Sequence, residues 1–92
     1  MDIKMDREKK KLLKREANNL DVAVRVGKQG LSENTVSEIK KLLKKRKLIK
    51  VKLLQSAIEG KDKKEFAKEI ASKTESDIVD MIGFVVVLNV KC

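Results

Sequence analysis

A chain of 92 residues with 41% hydrophobic side chains can build one core and not two, so one domain spanning residues 1–92 is expected. Its formal charge of +9 is unevenly laid out: residues 1–53 hold 17 Lys/Arg against 7 Asp/Glu, and residues 54–92 hold 6 against 7. Histidine is absent and the one cysteine is Cys92, which excludes His-dependent triads, His-dependent zinc sites, proton shuttles through imidazole and any intrachain disulfide.

The first element in chain order is a helix over "MDREKKKLLKREANNL", with Asp6 as N-cap, an apolar stripe of Leu12, Leu13 and Ala17, and a stop at Asn18-Asn19. "VAVRV" alternates and predicts a strand with Val22, Val24 and Val26 on one face and Ala23 and Arg25 on the other. Two glycines follow in Gly27-Lys28-Gln29-Gly30, and Ser32 is then a good N-cap for a second helix because its hydroxyl can accept from a free first-turn amide. Val36, Ile39, Leu42 and Leu43 share one side of that helix at about 100° per residue. "LIKVKLL" is a second alternating strand, with Ile49, Val51 and Leu53 opposite Lys50 and Lys52.

Gly60 closes a loop, Asp62 can cap a third helix, and Phe66, Ala67, Ile70 and Ala71 form its apolar stripe. "SDIVDMI" and "FVVVLNV", parted by Gly83, read as a closing hairpin. The second of these is apolar on both faces over residues 84–88, as a central strand covered on both sides requires. The expected order is αβαβαββ, a two-layer α/β domain with a four-stranded mixed sheet.

Little in this sequence suits catalysis. "GKQG" lacks the spacing of a Walker loop, and Arg25 stands where a dinucleotide fingerprint needs its first glycine. Asp77 and Asp80 are three apart in a strand, so period-two counting sends them to opposite faces and away from a shared metal. No cofactor, metal ligand set or catalytic residue is expected. No apolar run approaches a membrane span, and "MDIKMDREKKK" lacks the apolar core of a signal peptide, so a cytoplasmic protein without membrane contact is expected. Cys92 reads as a bystander thiol.

The basic residues are the stronger signal. From Lys40 to Lys52, "KKLLKKRKLIKVK" carries eight Lys/Arg and no acid. If the first two strands are parallel neighbours, Arg25, Lys50 and Lys52 form one positive patch, flanked by Lys40, Lys41 and Lys44 of the second helix. Phe66 and Phe84, the only aromatics, sit in apolar patterns and are both assigned to the core. Without exposed rings a base-stacking platform is not expected, which leaves recognition of backbone and shape in structured RNA. Gly27 and Gly30 allow close approach of a sugar–phosphate chain, Lys28 supplies charge, Gln29 can donate or accept, and a helix N-terminus follows. The KH module clamps nucleotides with a G-x-x-G loop on the same physical grounds.

Those residues also carry a family resemblance. Val26-Gly27-Lys28-x-Gly30-Leu31-Ser32, the helix positions Val36 and Ile39, and Leu48-Ile49-Lys50-Val51-Lys52 resemble the signature of the CRM domain (chloroplast RNA splicing and ribosome maturation; YhbY-like). Leu13-x-x-x-Ala17-x-x-Leu20 and the late Gly83 before a valine-rich strand fit as well. Two positions depart: Leu20-Asp21-Val22 lacks the proline that often precedes the first strand, and Leu88-Asn89-Val90 replaces a common Leu-Tyr-Arg. The resemblance implies a fold similar to the C-terminal domain of translation initiation factor three. It also implies RNA binding through the Gly27–Gly30 loop and association with large-subunit precursors, as in the stand-alone bacterial form, rather than intron splicing.

The expected function is therefore a non-enzymatic RNA-binding protein of ribosome assembly. Its partner is structured RNA (ribosomal RNA of a pre-ribosomal particle), contacted by Gly27, Lys28, Gln29, Gly30, Arg25, Lys40, Lys41, Lys44, Lys50 and Lys52. No small-molecule substrate is expected, and the oligomeric state is open. Two alternatives stand beside it: a basic chromatin-type protein that coats DNA or RNA, and an interaction module that docks an acidic protein.

Overall fold

A computed structural model describes residues 7–91, so Asp6 and Cys92 lie outside the described residues. The elements are α1 (Arg7–Asn18), β1 (Val22–Val26), α2 (Glu33–Arg46), β2 (Leu48–Leu53), α3 (Gln55–Ile58), α4 (Lys63–Lys73), β3 (Ser76–Ile82) and β4 (Val85–Val90). This is the expected αβαβαββ order with one addition: a single helical turn, α3, stands where the sequence reads as loop. It has no side-chain cap and is held by burial of Ala57 in the core.

The strands form one mixed sheet in the order β1-β2-β4-β3, with β1 and β2 parallel and the other two pairings antiparallel. Because side chains alternate along a strand, neighbouring residues enter different layers. Ile49, Val51, Leu53, Val86 and Leu88 join Ile39 and Leu43 of α2 and Phe66, Ala67 and Ile70 of α4 in the main core. Leu48, Val87 and Val79 point the other way and meet Ala17 of α1, with Leu13 and Leu20 beside them. The sheet thus carries α2 and α4 on one face and α1 on the other, and α1 adds a third layer to the expected two. This explains the doubly apolar β4: Val86, Val87 and Leu88 are all fully buried. Each such side chain contributes about 1.5–3 kcal/mol relative to an exposed one.

Two irregularities of register revise the period-two reading. One falls between Val22 and Val24, so Val22 partners Lys50 while Ala23 packs against the main core. The other falls between Ile78 and Asp80. Asp77 partners Asn89 and Asp80 partners Val87, two positions on one face of β4, so the bulge brings both carboxylates to the α1 side rather than to opposite faces. Asp80 is engaged there: its Oδ1 accepts from the Met81 amide at 2.8 Å and lies 4.0 Å from the Lys14 ammonium.

The helix caps form as expected. Ser32 Oγ accepts from the Thr35 amide at 3.2 Å and Asp62 Oδ1 accepts from the Lys64 amide at 2.9 Å. The apolar stripe of α1 is narrower than expected: Ala17 is buried and Leu13 half-buried, but Leu12 is 58% exposed. Phe84 is a correction too. The phenylalanine assigned to the core stands 41% exposed at the β3–β4 turn, because β4 begins one residue later.

Candidate nucleic-acid interface

Parallel pairing of β1 with β2 puts the ends of both strands at one margin of the sheet, and the β3–β4 turn returns to the same margin. Carboxyl ends of parallel strands are where open α/β sheets commonly receive ligands. Here that margin carries the segment Gly27-Lys28-Gln29-Gly30, which closes as a β-turn with the Gly30 amide donating to the Gly27 carbonyl at 2.9 Å. Lys28 and Gln29 occupy the two central positions and both are exposed.

The two glycines do different work. Gly30 has a φ of +64°, a left-handed conformation that other residues adopt only under strain. Gly27 has no such need, and a Cβ there would make ordinary contact with Leu54 Cδ1 at 3.5 Å. Leu54 is fixed beneath the turn by its own amide, which donates to the Val26 carbonyl at 2.9 Å. The glycine at position 27 therefore leaves backbone open without being required by the fold.

Arg25 and Lys52 are direct partners across the parallel pair, and Lys50 lies two residues before Lys52 on the same face. Arg25 and Lys52 are exposed and Lys50 is half-buried. They are the positive patch expected from the alternation, beside the basic helix α1 and two residues from the glycine turn. Like charges facing each other across a strand pair oppose folding, so this arrangement is not explained by stability.

The α2 lysines do not join that patch. The patch shares the α1 face of the sheet, whereas α2 packs against the opposite face. Lys40 stands on the flank of α2 that looks toward α4, 3.8 Å from Glu75, and lines a shallow depression with Leu31, Val36 and Lys73. Lys41 points away from the buried stripe into solvent, and Lys44 is also exposed. The patch expected to be flanked by the α2 lysines is thus separated from them by the sheet, leaving basic surfaces on both sides. The amino end of α2 lies just past Gly30, with the Thr35 amide already satisfied by Ser32.

What sequence reasoning missed is the apolar component of this margin. Leu54, Ile82 and Phe84 are exposed there, and the Lys63 ammonium lies 5.1 Å from the Phe84 ring centroid while donating to the Gly83 carbonyl at 2.9 Å. The available signal was Gly83, whose φ of +58° makes it part of the reversal and leaves its neighbour at the tip. Among the described residues, no group of three His, Cys, Asp or Glu could hold a metal, and no helix is long and apolar enough to cross a membrane.

Fold and margin together define an α/β domain with a glycine turn and a basic strand pair at one end of its sheet. Residues 5–88 match the CRS1/YhbY (CRM) domain model, and the chain belongs to this family. It is 38% identical over 79 residues to a probable RNA-binding protein of Methanocaldococcus jannaschii, covering 86% of this chain and 58% of the relative. A probable RNA-binding protein of Bacillus subtilis is 35% identical over 79 residues, covering 86% of this chain and 80% of the relative. The chain thus spans less than two thirds of the archaeal relative. A solution structure of a hypothetical Staphylococcus aureus protein, itself named as a candidate RNA-binding protein, superposes with a TM-score of 0.78 at 34% identity. That match covers 97% of this chain and 91% of the other. These relatives are named for RNA binding and not as enzymes.

Proposed function

We propose that this protein binds structured RNA at the margin where β1 and β2 end, and that its RNA is ribosomal, engaged during large-subunit assembly in the cytoplasm. One observation carries the reading: the Arg25–Lys52 pair lies beside a glycine turn whose Gly27 leaves open backbone that the fold does not need. Lysine and arginine neutralise phosphates, and the turn admits a sugar–phosphate chain to the Lys28 and Gln29 backbone. The family membership and the names of the relatives support RNA as the polyanion, and the ribosomal assignment is carried over from the family resemblance. Lys40, Lys41 and Lys44 contribute to the long-range field rather than to the contact.

The test is crosslinking in cells followed by sequencing of the attached RNA. Enrichment of large-subunit precursor RNA is expected, and reads spread over messenger and transfer RNA without it would overturn the assembly role. In vitro, affinity for structured RNA should fall steeply with salt. Equal affinity for duplex DNA would instead favour a nucleic-acid-coating protein, and no binding at low salt would favour an acidic protein partner.

A further inference from the structure

Among the described residues four large apolar side chains are notably exposed, and three of them, Leu54, Ile82 and Phe84, lie at the margin that holds the glycine turn. The Leu53 amide donates to the Phe84 carbonyl at 2.7 Å and Leu53 partners Val26, so Phe84 is two strand spacings, about 10 Å, from the end of β1. Leu54 fills the interval, with its Cδ1 3.5 Å from the position of a Cβ on Gly27. An exposed ring, a cation beside it and, about 10 Å away, a glycine turn bearing Lys28 are the parts from which single-stranded nucleic acid is held: a base stacks on the ring while cations take the phosphates.

We propose that Phe84 is a stacking platform for an unpaired nucleobase of the RNA seated at the glycine turn, with Lys63 placing its ammonium beside that nucleotide's phosphate. The inference rests on the RNA-binding reading and adds a single-stranded element to it. Shape recognition by the basic strands and the turn engages a helix or its backbone, and Phe84 takes a base that leaves the helix. A purely packing role for Phe84 is disfavoured by its exposure, since the Leu53–Phe84 link uses only backbone atoms.

The test uses two RNAs, a perfect duplex and the same duplex interrupted by one unpaired adenosine. Phe84→Ala is expected to lose about 5- to 100-fold in affinity for the interrupted RNA and to keep the parent's affinity for the perfect duplex. Phe84→Trp introduces the only tryptophan, because the chain has none. It should retain affinity, and its emission should be quenched by the interrupted RNA but not by the same RNA with an abasic site at the bulge. Equal loss on both RNAs, no loss on either, or tryptophan emission indifferent to the abasic change would each overturn the proposal. Failure of the parent protein to bind either RNA at low salt would overturn the RNA reading itself, an outcome separable from the others.

Discussion

Substituting alanine for each glycine of the turn separates what the fold needs from what a ligand needs. At Gly30 the φ of +64° makes alanine cost about 1–2 kcal/mol, although nothing lies within 4 Å of the added methyl. For a domain of this size that lowers Tm by about 4–8 °C per kcal/mol. At Gly27 the backbone is ordinary and the methyl reaches only Leu54 Cδ1 at 3.5 Å, so alanine should leave stability unchanged or raise it by about 0.4–1 kcal/mol. RNA affinity should reverse that order of tolerance. A phosphate drawn against the Gly27–Lys28 backbone makes a charge-assisted hydrogen bond of about 1.5–3 kcal/mol, so a methyl that holds it away should weaken binding about 10- to 100-fold. Thermal melts and titration of a structured RNA at fixed salt measure both quantities. A Gly27→Ala protein that is as stable as the parent and binds equally well would refute close approach at this position and leave the glycine as an accident of the turn.

Two further outcomes follow from the same geometry. Lys52→Ala should weaken RNA binding at all sequences alike and reduce the salt slope by about one phosphate's worth, while Lys40→Ala, on the opposite face and 3.8 Å from Glu75, should weaken binding far less and leave the salt slope unchanged; titrations across a salt series decide this. Lys47 closes α2 with a φ of +69°, so Lys47→Gly should stabilise the fold by about 1 kcal/mol, read as a raised melting temperature.

Where the chain obeys a simple period, its sequence was a sound guide. The alternation of "VRV" and "LIKVKL" placed Arg25, Lys50 and Lys52 on one face, and only the start of β1, where the register shifts between Val22 and Val24, departs from it. The stripe Phe66, Ala67, Ile70 and Ala71 is buried as read, and β4, the strand apolar on both faces, proved to lie between two helical layers. The readings that failed depend on single-residue events that a period does not encode. One extra residue near Val79 reverses where Asp80 points, and a reversal at Gly83 strands Phe84 outside the apolar run it appears to begin. Lys40 looked like a flank of the positive patch because its partner, Glu75, is distant in sequence and meets it only once α2 and α4 are packed. The assumption that both phenylalanines were internal had also removed base stacking from consideration, and the exposed ring restores it.

Placing Arg25 directly across from Lys52 has a thermodynamic consequence for the unliganded protein. The folded state holds together two cations that the unfolded chain can separate, and the net charge of +9 adds to that mutual repulsion. Counterions relax the repulsion, so added salt should make the free domain harder to unfold while it loosens the grip on RNA. A polyanion seated on the pair does what the salt does, but locally and with its own binding energy behind it. The strand pair is thus most comfortable when occupied, and the empty protein carries in its sheet a small electrostatic tension that its ligand discharges.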